Sequence, residues 1–275
     1  MAPPVSQAEK AQRFRALHAS DSAFVIANAW DGATARIFTR LGFAAIATSS
    51  GASAATLGKL DGQVSRQEAL AQARIIVEAT DAPVSADLER GFGDAPQIVA
   101  ETVTLAAASG LVGCSIEDAT RDAAQPLYEL GQAEARIAAA AQAARALSFP
   151  FTLTARAENF LHGRADLADT IRRLKAYERA GADVLFAPGL PDLAAVREVC
   201  KAVDRPVNFM VGIPGKSFSV AELQAAGVRR ISLATSLYRA ALTGAIAAAR
   251  EVHDHGTFSY LDRNLTSAEL NEFLR

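Results

Sequence analysis

The sequence predicts an α/β protein of the (β/α)8 TIM-barrel type, with extra helices at both ends, folded as a single domain over residues 1–275. Three observations predict it. Eight short β-branched and apolar runs alternate with helical ones from end to end. No Pro/Gly/Ser-rich linker or low-complexity block divides the 275 residues, a length that suits one barrel. The turn after the first strand reads "NAWDGATAR", without the G-x-G-x-x-G that an open doubly wound sheet normally places there.

In chain order, residues 6–18 read as a helix ahead of the first strand, "FVIANAW" at 24–30. Strands two to four are "AAIATSS" at 44–50, "PVSAD" at 83–87 and "VGCSIED" at 112–118. Strands five to eight are "FTLTARAEN" at 151–159, "DVLFAP" at 183–188, "PVNFMVG" at 206–212 and "RISLATS" at 230–236. Ala-, Leu-, Glu- and Arg-rich helical patterns lie between them. At the end, "TSAELNEFLR" opens a further helix with a capping-box pair, Thr266 and Glu269.

Composition narrows the function classes. The 28 basic and 30 acidic residues leave a net charge of −2, so neither a nucleic-acid footprint nor a polybasic membrane patch is present. A small-molecule partner is expected. No apolar run approaches the roughly 20 residues of a membrane span, and the first residues lack the apolar centre of a secretory signal. The expected location is cytoplasmic. Two cysteines, Cys114 and Cys200, give no disulfide framework and no CxxC metal spacing, so both are expected as reduced thiols.

In a barrel of this type the reacting groups lie at the C-terminal strand ends. Polar residues collect there. Alternation puts Ser85 and Asp87 on one face of strand three, Ser115 and Glu117 on strand four, and Thr154, Arg156 and Glu158 on strand five. Asn28, Trp30, Asp31, Ser49, Ser50, Gly51, Asn208 and Ser232 extend the ring. Asp87 and Glu117 are hard oxygen donors on adjacent strands, a pairing that suits Mg²⁺. The alternative for Asp87 is a buried ion pair with Arg90 or Arg156, and Arg156 has its own alternative as a partner of Glu158 or Glu117. As a site residue, Arg156 offers a planar fork for a carboxylate or for charge developing on oxygen. "TSSGASAATLGKLDG", residues 48–62, places small residues where backbone N–H groups can cradle a carboxylate, or else simply turns the chain. Asp61 follows in a Gly-flanked loop able to close over a ligand or to remain an ordinary surface loop.

Other motifs lead nowhere. "GIPGKS" at 212–217 lacks the first glycine of a phosphate loop, since Met210 stands there. "HDH" at 253–255 has no third convergent ligand in sequence and reads as a solvated helix end. No lysine ends a strand, which weakens Schiff-base aldolase chemistry.

Taken together, "NAWDGATARI", "ATSSGASAATLGKLDGQ", "VSADLERGFGD", "GCSIEDAT", "TARAEN" and "RISLATSLYRAA" resemble the isocitrate lyase and phosphoenolpyruvate mutase superfamily in order and spacing. The resemblance spans nearly the whole chain. It implies a Mg²⁺-dependent enzyme that stabilises a pyruvate-like enolate while an adjacent C–C or P–C bond is made or broken. It also implies that Ser50, Gly51 and Ala52 hold the substrate carboxylate, and that Asp87 and Glu117 hold Mg²⁺ and its waters. Arg156 would bind the oxo-acid, Trp30 would line the pocket, and Asp61 would act from the gating loop; Asn208, from the polar ring, is expected to bind substrate as well. A homotetramer exchanging its C-terminal helices is implied as well.

Two departures set this chain apart. Ser85 stands where the family commonly pairs a second aspartate with Asp87, and "DATRDAAQPLYE" replaces the Lys/Cys/Gly/His-containing run of the isocitrate and methylisocitrate lyases. The leading expectation is a lyase cleaving a C–C bond of a small 2-oxo- or 2-hydroxy-polycarboxylate. The alternatives are a phosphonomutase or hydrolase acting on a P–C bond, and a non-catalytic 2-oxo-acid binding protein.

Overall fold

The computed structural model of the protein describes residues 5–275. Eight parallel strands close into a barrel in chain order, β8 returning to pair with β1. They are β1 (Phe24–Asn28), β2 (Ile46–Ala47), β3 (Val84–Asp87), β4 (Gly113–Glu117), β5 (Thr152–Arg156), β6 (Val184–Phe186), β7 (Val207–Met210) and β8 (Arg230–Ser232). Every predicted strand is present but shorter, and after β1 and β2 the chain leaves the sheet early to cap the next helix. Asp31 and Ser49, for instance, accept backbone N–H groups of the helices they open.

Helix α1 (Gln7–Ala19) precedes the barrel, capped by a reciprocal Ser6–Glu9 box. After β1 comes α2 (Gly32–Arg40), and after β2 come α3 (Ser50–Thr56) and α4 (Arg66–Glu78). Strands β3 to β7 are followed in turn by α5 (Pro96–Ala108), α6 (Leu130–Arg145), α7 (Leu167–Arg179), α8 (Leu193–Ala202) and α9 (Val220–Ala225). Beyond β8 lie α10 (Ser236–His255) and α11 (Ser267–Leu274), the latter opened by the expected Thr266–Glu269 box.

Strand alternation sorts the residues. Cys114, Ile116, Leu153, Leu185 and Ile231 join the apolar layer between sheet and helices. Ser85, Asp87, Ser115, Asn208, Arg230 and Ser232 line the barrel interior. The opposite end of the barrel is closed by α1, whose Ala11 and Phe14 pack with Ile26, Ala45 and Val112. A side chain at Gly113 would come within 3.1 Å of the Phe14 ring and 2.7 Å of the Thr152 carbonyl oxygen, so that floor requires glycine.

No residue of α10 or α11 is buried, and Leu242, Ile246, Phe258, Leu261 and Leu265 are exposed. Among the described residues no helix is long and apolar enough to cross a membrane. Both cysteines are free thiols, and burial raises the pKa of Cys200 to about 11.

Candidate active site

At the C-terminal mouth the side chains converge on Arg156. Its Nη1 donates to Asp87 Oδ1 at 3.0 Å and its Nε to Glu158 Oε1 at 2.8 Å, while Nη2 lies 3.2 Å from Glu117 Oε2. The ladder explains this. Glu117 and Arg156 are register partners on β4 and β5, and Asp87 is opposite Ser115 on the other edge of β4. Burial opposes the charge on Arg156, yet Glu158, Glu117 and Asp87 together hold its pKa well above the ordinary value. Burial likewise raises Glu117 and Glu158, with Arg156 acting against that rise.

Asp87 is the best-connected member. Besides Arg156 it accepts from Ser115 Oγ at 3.4 Å and from the backbone N–H groups of Glu89 at 3.2 Å and Ser50 at 3.3 Å. The buried ion pair considered for Asp87 is therefore present, with Arg156 as partner. Arg90 turns away to Asp94 and the Tyr128 hydroxyl.

Ser50, Gly51 and Ala52 form the first turn of α3 beside this cluster, with the Ser50 amide donating to Asp87 and the Ala52 amide to the Ser49 hydroxyl. A Cβ at Gly51 would stand 3.2 Å from Asp61 Oδ2 and 3.2 Å from Thr235 Cγ2, so the missing side chain admits the Asp61 carboxylate. The Asp61 carboxyl is thus turned inward from an exposed loop. Partial burial and the nearby Asp87 raise its pKa, against a hydrogen bond with Ser50. Arg121 Nη2 donates to the Gly62 carbonyl at 2.9 Å and ties that loop to the segment after β4.

Asn208 lies deeper, 1% exposed, accepting from Arg230 Nε at 2.8 Å and donating to Ser232 Oγ at 3.2 Å. Trp30 stands outside the residues lining the interior cavity, its ring edge-on to Phe38 and Tyr238 at centroid distances of 5.9 and 5.2 Å. Tyr128 also points elsewhere, its hydroxyl donating to Asp94 at 2.5 Å. Behind Glu158 a buried network holds the strand end: Asp118 accepts from the Glu158 N–H at 2.8 Å, from Arg173 at 3.1 Å and from Tyr177 at 2.5 Å.

Sequence reasoning missed Glu89. It keeps the inward parity of Ser85 and Asp87 two residues past β3, its carbonyl accepting from the Glu117 N–H at 3.0 Å. Its φ of 49° is left-handed, a conformation that residues with side chains seldom adopt outside functional or strained sites. Burial, then the charges of Asp87 and Asp61, raises its pKa to about 7 from the ordinary 4.5. The folded protein therefore binds a proton there that the unfolded chain has released, and stability falls as pH rises from about 4.5 to about 7. In metal-free protein Glu89→Gln should flatten this slope by about 1–2 kcal/mol, less than the full shift because a half-open carboxylate is screened. Urea melts at about pH 5 and about pH 8 check this, and an unchanged slope would assign the pH dependence to other groups.

Asp61, Asp87, Glu89, Glu117 and Glu158 thus outnumber the cations near them, and all are oxygen donors. That donor set fits a divalent hard cation. Among the described residues no three His, Cys, Asp or Glu side chains stand close enough to enclose one. A Mg²⁺ ion, which binds through one or two carboxylates and keeps several waters, would need only Asp87 and Glu117.

The sequence profile of the family described as phosphoenolpyruvate phosphomutase matches residues 14–253 of this fold. The chain belongs to that family. A crystal structure from Burkholderia cenocepacia J2315, named provisionally as a lyase/mutase, is 50% identical with a TM-score of 0.95, covering 97% of this chain and 96% of that one. An uncharacterized protein of Mycobacterium tuberculosis (strain ATCC 25618 / H37Rv) is 33% identical, with 94% of each chain covered. The 2-methylisocitrate lyase of Halalkalibacterium halodurans is 28% identical over 92% of this chain and 85% of its own. The expected superfamily and barrel therefore hold for the family member described here.

Proposed function

We propose that this family member is a Mg²⁺-dependent lyase that cleaves a C–C bond of a small 2-oxo- or 2-hydroxy-polycarboxylate through a pyruvate-like enolate. The observation that carries the reading is the Arg156 fork, which joins Asp87, Glu117 and Glu158 directly beside the amides of α3. A lyase named among the relatives supports the reaction class.

Each residue then has a task. The Ser50–Gly51–Ala52 turn holds the substrate carboxylate by backbone donors, and Arg156 stabilises negative charge as it develops on the oxo-acid oxygen. Asp87 and Glu117 hold the cation and its waters, and Mg²⁺ when bound supplies Lewis-acid stabilisation of that same charge. Asp61, with its raised pKa, carries a proton to or from the reacting carbon from the loop above. Arg121 keeps the loop closed and water out. Asn208 supports the substrate end from below through Ser232 and Arg230. Trp30 acts from the rim, where its neighbours fix the ring.

The exposed apolar faces of α10 and of the segment through Leu265 suit burial against other copies, and the proposed assembly is a tetramer that exchanges these helices. Light scattering reads the mass of the assembly, and loss of the tetramer on truncating α11 would test the exchange.

Asp87→Ala tests the centre of the reading. It should abolish Mg²⁺-dependent oxalate binding in calorimetry, by about a hundredfold or more in affinity, while the circular dichroism spectrum is kept. Unchanged metal-dependent affinity would remove Asp87 from the metal site. Loss of the fold would instead make the Asp87–Arg156 pair a purely structural one. The phosphonomutase reading remains the second choice because the family itself carries that name, and release or migration of phosphorus from a phosphonate would favour it.

A further inference from the structure

Inside the barrel, continuous with the mouth and with Asp87 and Arg156 in its own lining, lies a cavity of about 80 Å³. That is roughly the room of two or three waters, or of one carboxylate. Its wall carries the hydroxyls of Ser85, Ser115 and Ser232, the amide of Asn208 and the guanidinium of Arg230. Arg230 opens β8 with the same inward parity as Ser232, and it is 5% exposed.

The hydrogen bonds of Arg230 go only to neutral groups. Nε donates to Asn208 Oδ1 at 2.8 Å and Nη1 to Thr154 Oγ1 at 3.0 Å. Nη2 donates to no acceptor among the described residues, and no carboxylate pairs with the group there. Burial, and then the like charge of Arg156, pushes its pKa down to about 9. A buried cation without a counter-ion is costly to keep, whereas Arg156 nearby has three carboxylates. The charge, the donors and the room all match one missing component, a small anion.

We infer that this cavity is an anion subsite in which Arg230, through its open Nη2 and assisted by the Ser85 hydroxyl, takes a carboxylate-sized anion. Two sources share that chemistry. One is the second carboxylate of the substrate, an assignment that rests on the proposed lyase reading. The other is a free halide held under the reacting groups.

Calorimetry with Mg²⁺ present separates them, using oxalate and 3,3-difluorooxaloacetate on wild type, Arg230→Met and Ser85→Asp, beside melting curves in sodium chloride and sodium gluconate. Ser85→Asp supplies a built-in anion and serves where Arg230→Met fails to fold. For the substrate source, affinity for the dicarboxylate oxo-acid relative to that for oxalate falls about tenfold or more in either variant, oxalate itself reporting any change that Ser85→Asp makes at the metal site beside Asp87. For the halide source, chloride raises the melting temperature of wild type by several degrees relative to gluconate, and this rise is absent in either variant. Equal dicarboxylate affinity and equal chloride response in wild type and a folded variant overturn the inference. If oxalate itself fails to bind wild type, the lyase reading falls instead, and the chloride comparison still decides for or against the cavity.

Discussion

Asp61→Ala should lower kcat by about a hundredfold or more on a polycarboxylate substrate of the proposed lyase reaction, while changing stability by less than about 1 kcal/mol. The two effects separate because the residue belongs to an exposed loop but sends its carboxyl inward, toward Gly51 and Ser50. Little packing is lost on truncation. What is lost is the proposed proton-transfer group, whose pKa is raised by partial burial and by Asp87. Removing it also relieves Glu89 of one like charge, so the Glu89 pKa should fall in the variant. Steady-state kinetics together with urea melts read both quantities. Activity near wild type would exclude Asp61 from the chemistry. A rise in KM with kcat unchanged would make it a group that orients the ligand, and Arg121→Ala, which frees the same loop at Gly62, should then reproduce the KM effect.

The fold was legible because strands buried on both faces read as dense apolar runs, and all eight stand where those runs stand. Their ends were less legible. "ATSS" continues an apolar run in sequence, yet Ser49 is already the cap of α3, since a hydroxyl at a strand end can serve a helix as well as a sheet. The inward parity of Ser85, Asp87, Ser115 and Arg156 could be read by counting in twos. Glu89 belongs to the same count, but ending the strand at Asp87 stopped it two residues short, and nothing local announces a glutamate with left-handed backbone before a glycine-rich turn. Arg230 was hidden differently. An arginine pair where a strand begins reads as solvated surface, and only the parity shared with Ser232 distinguishes the buried Arg230 from Arg229. The threefold pairing of Arg156 lay beyond any local reading, because it needs the register that sets β3, β4 and β5 side by side.

Arg156→Met should be the most damaging single change, costing about 3–5 kcal/mol near neutral pH along with nearly all turnover. Methionine fills much of the space but leaves Asp87, Glu117 and Glu158 without their shared cation. Burial already raises Glu117 and Glu158 against the pull of Arg156, so without that pull their folded-state pKa values rise further. The folded variant then takes up protons that the unfolded chain releases above its ordinary carboxylate pKa. Its stability is retained below about pH 4.5 and is lost as pH rises through the raised values, so the deficit against wild type should grow from about pH 5 to about pH 8. Arg156→Lys should recover part of the stability by charge alone, but little turnover, because an ammonium cannot fork to carboxylates on three strand ends. Mg²⁺ offers an independent check. If the carboxylates are poised to hold a divalent cation, millimolar Mg²⁺ should raise the melting temperature of Arg156→Met more than that of wild type, since the ion supplies the charge the arginine no longer does. A variant as stable as wild type across this pH range would mean that the carboxylates are satisfied without Arg156, and the convergence at the barrel mouth would lose its electrostatic meaning.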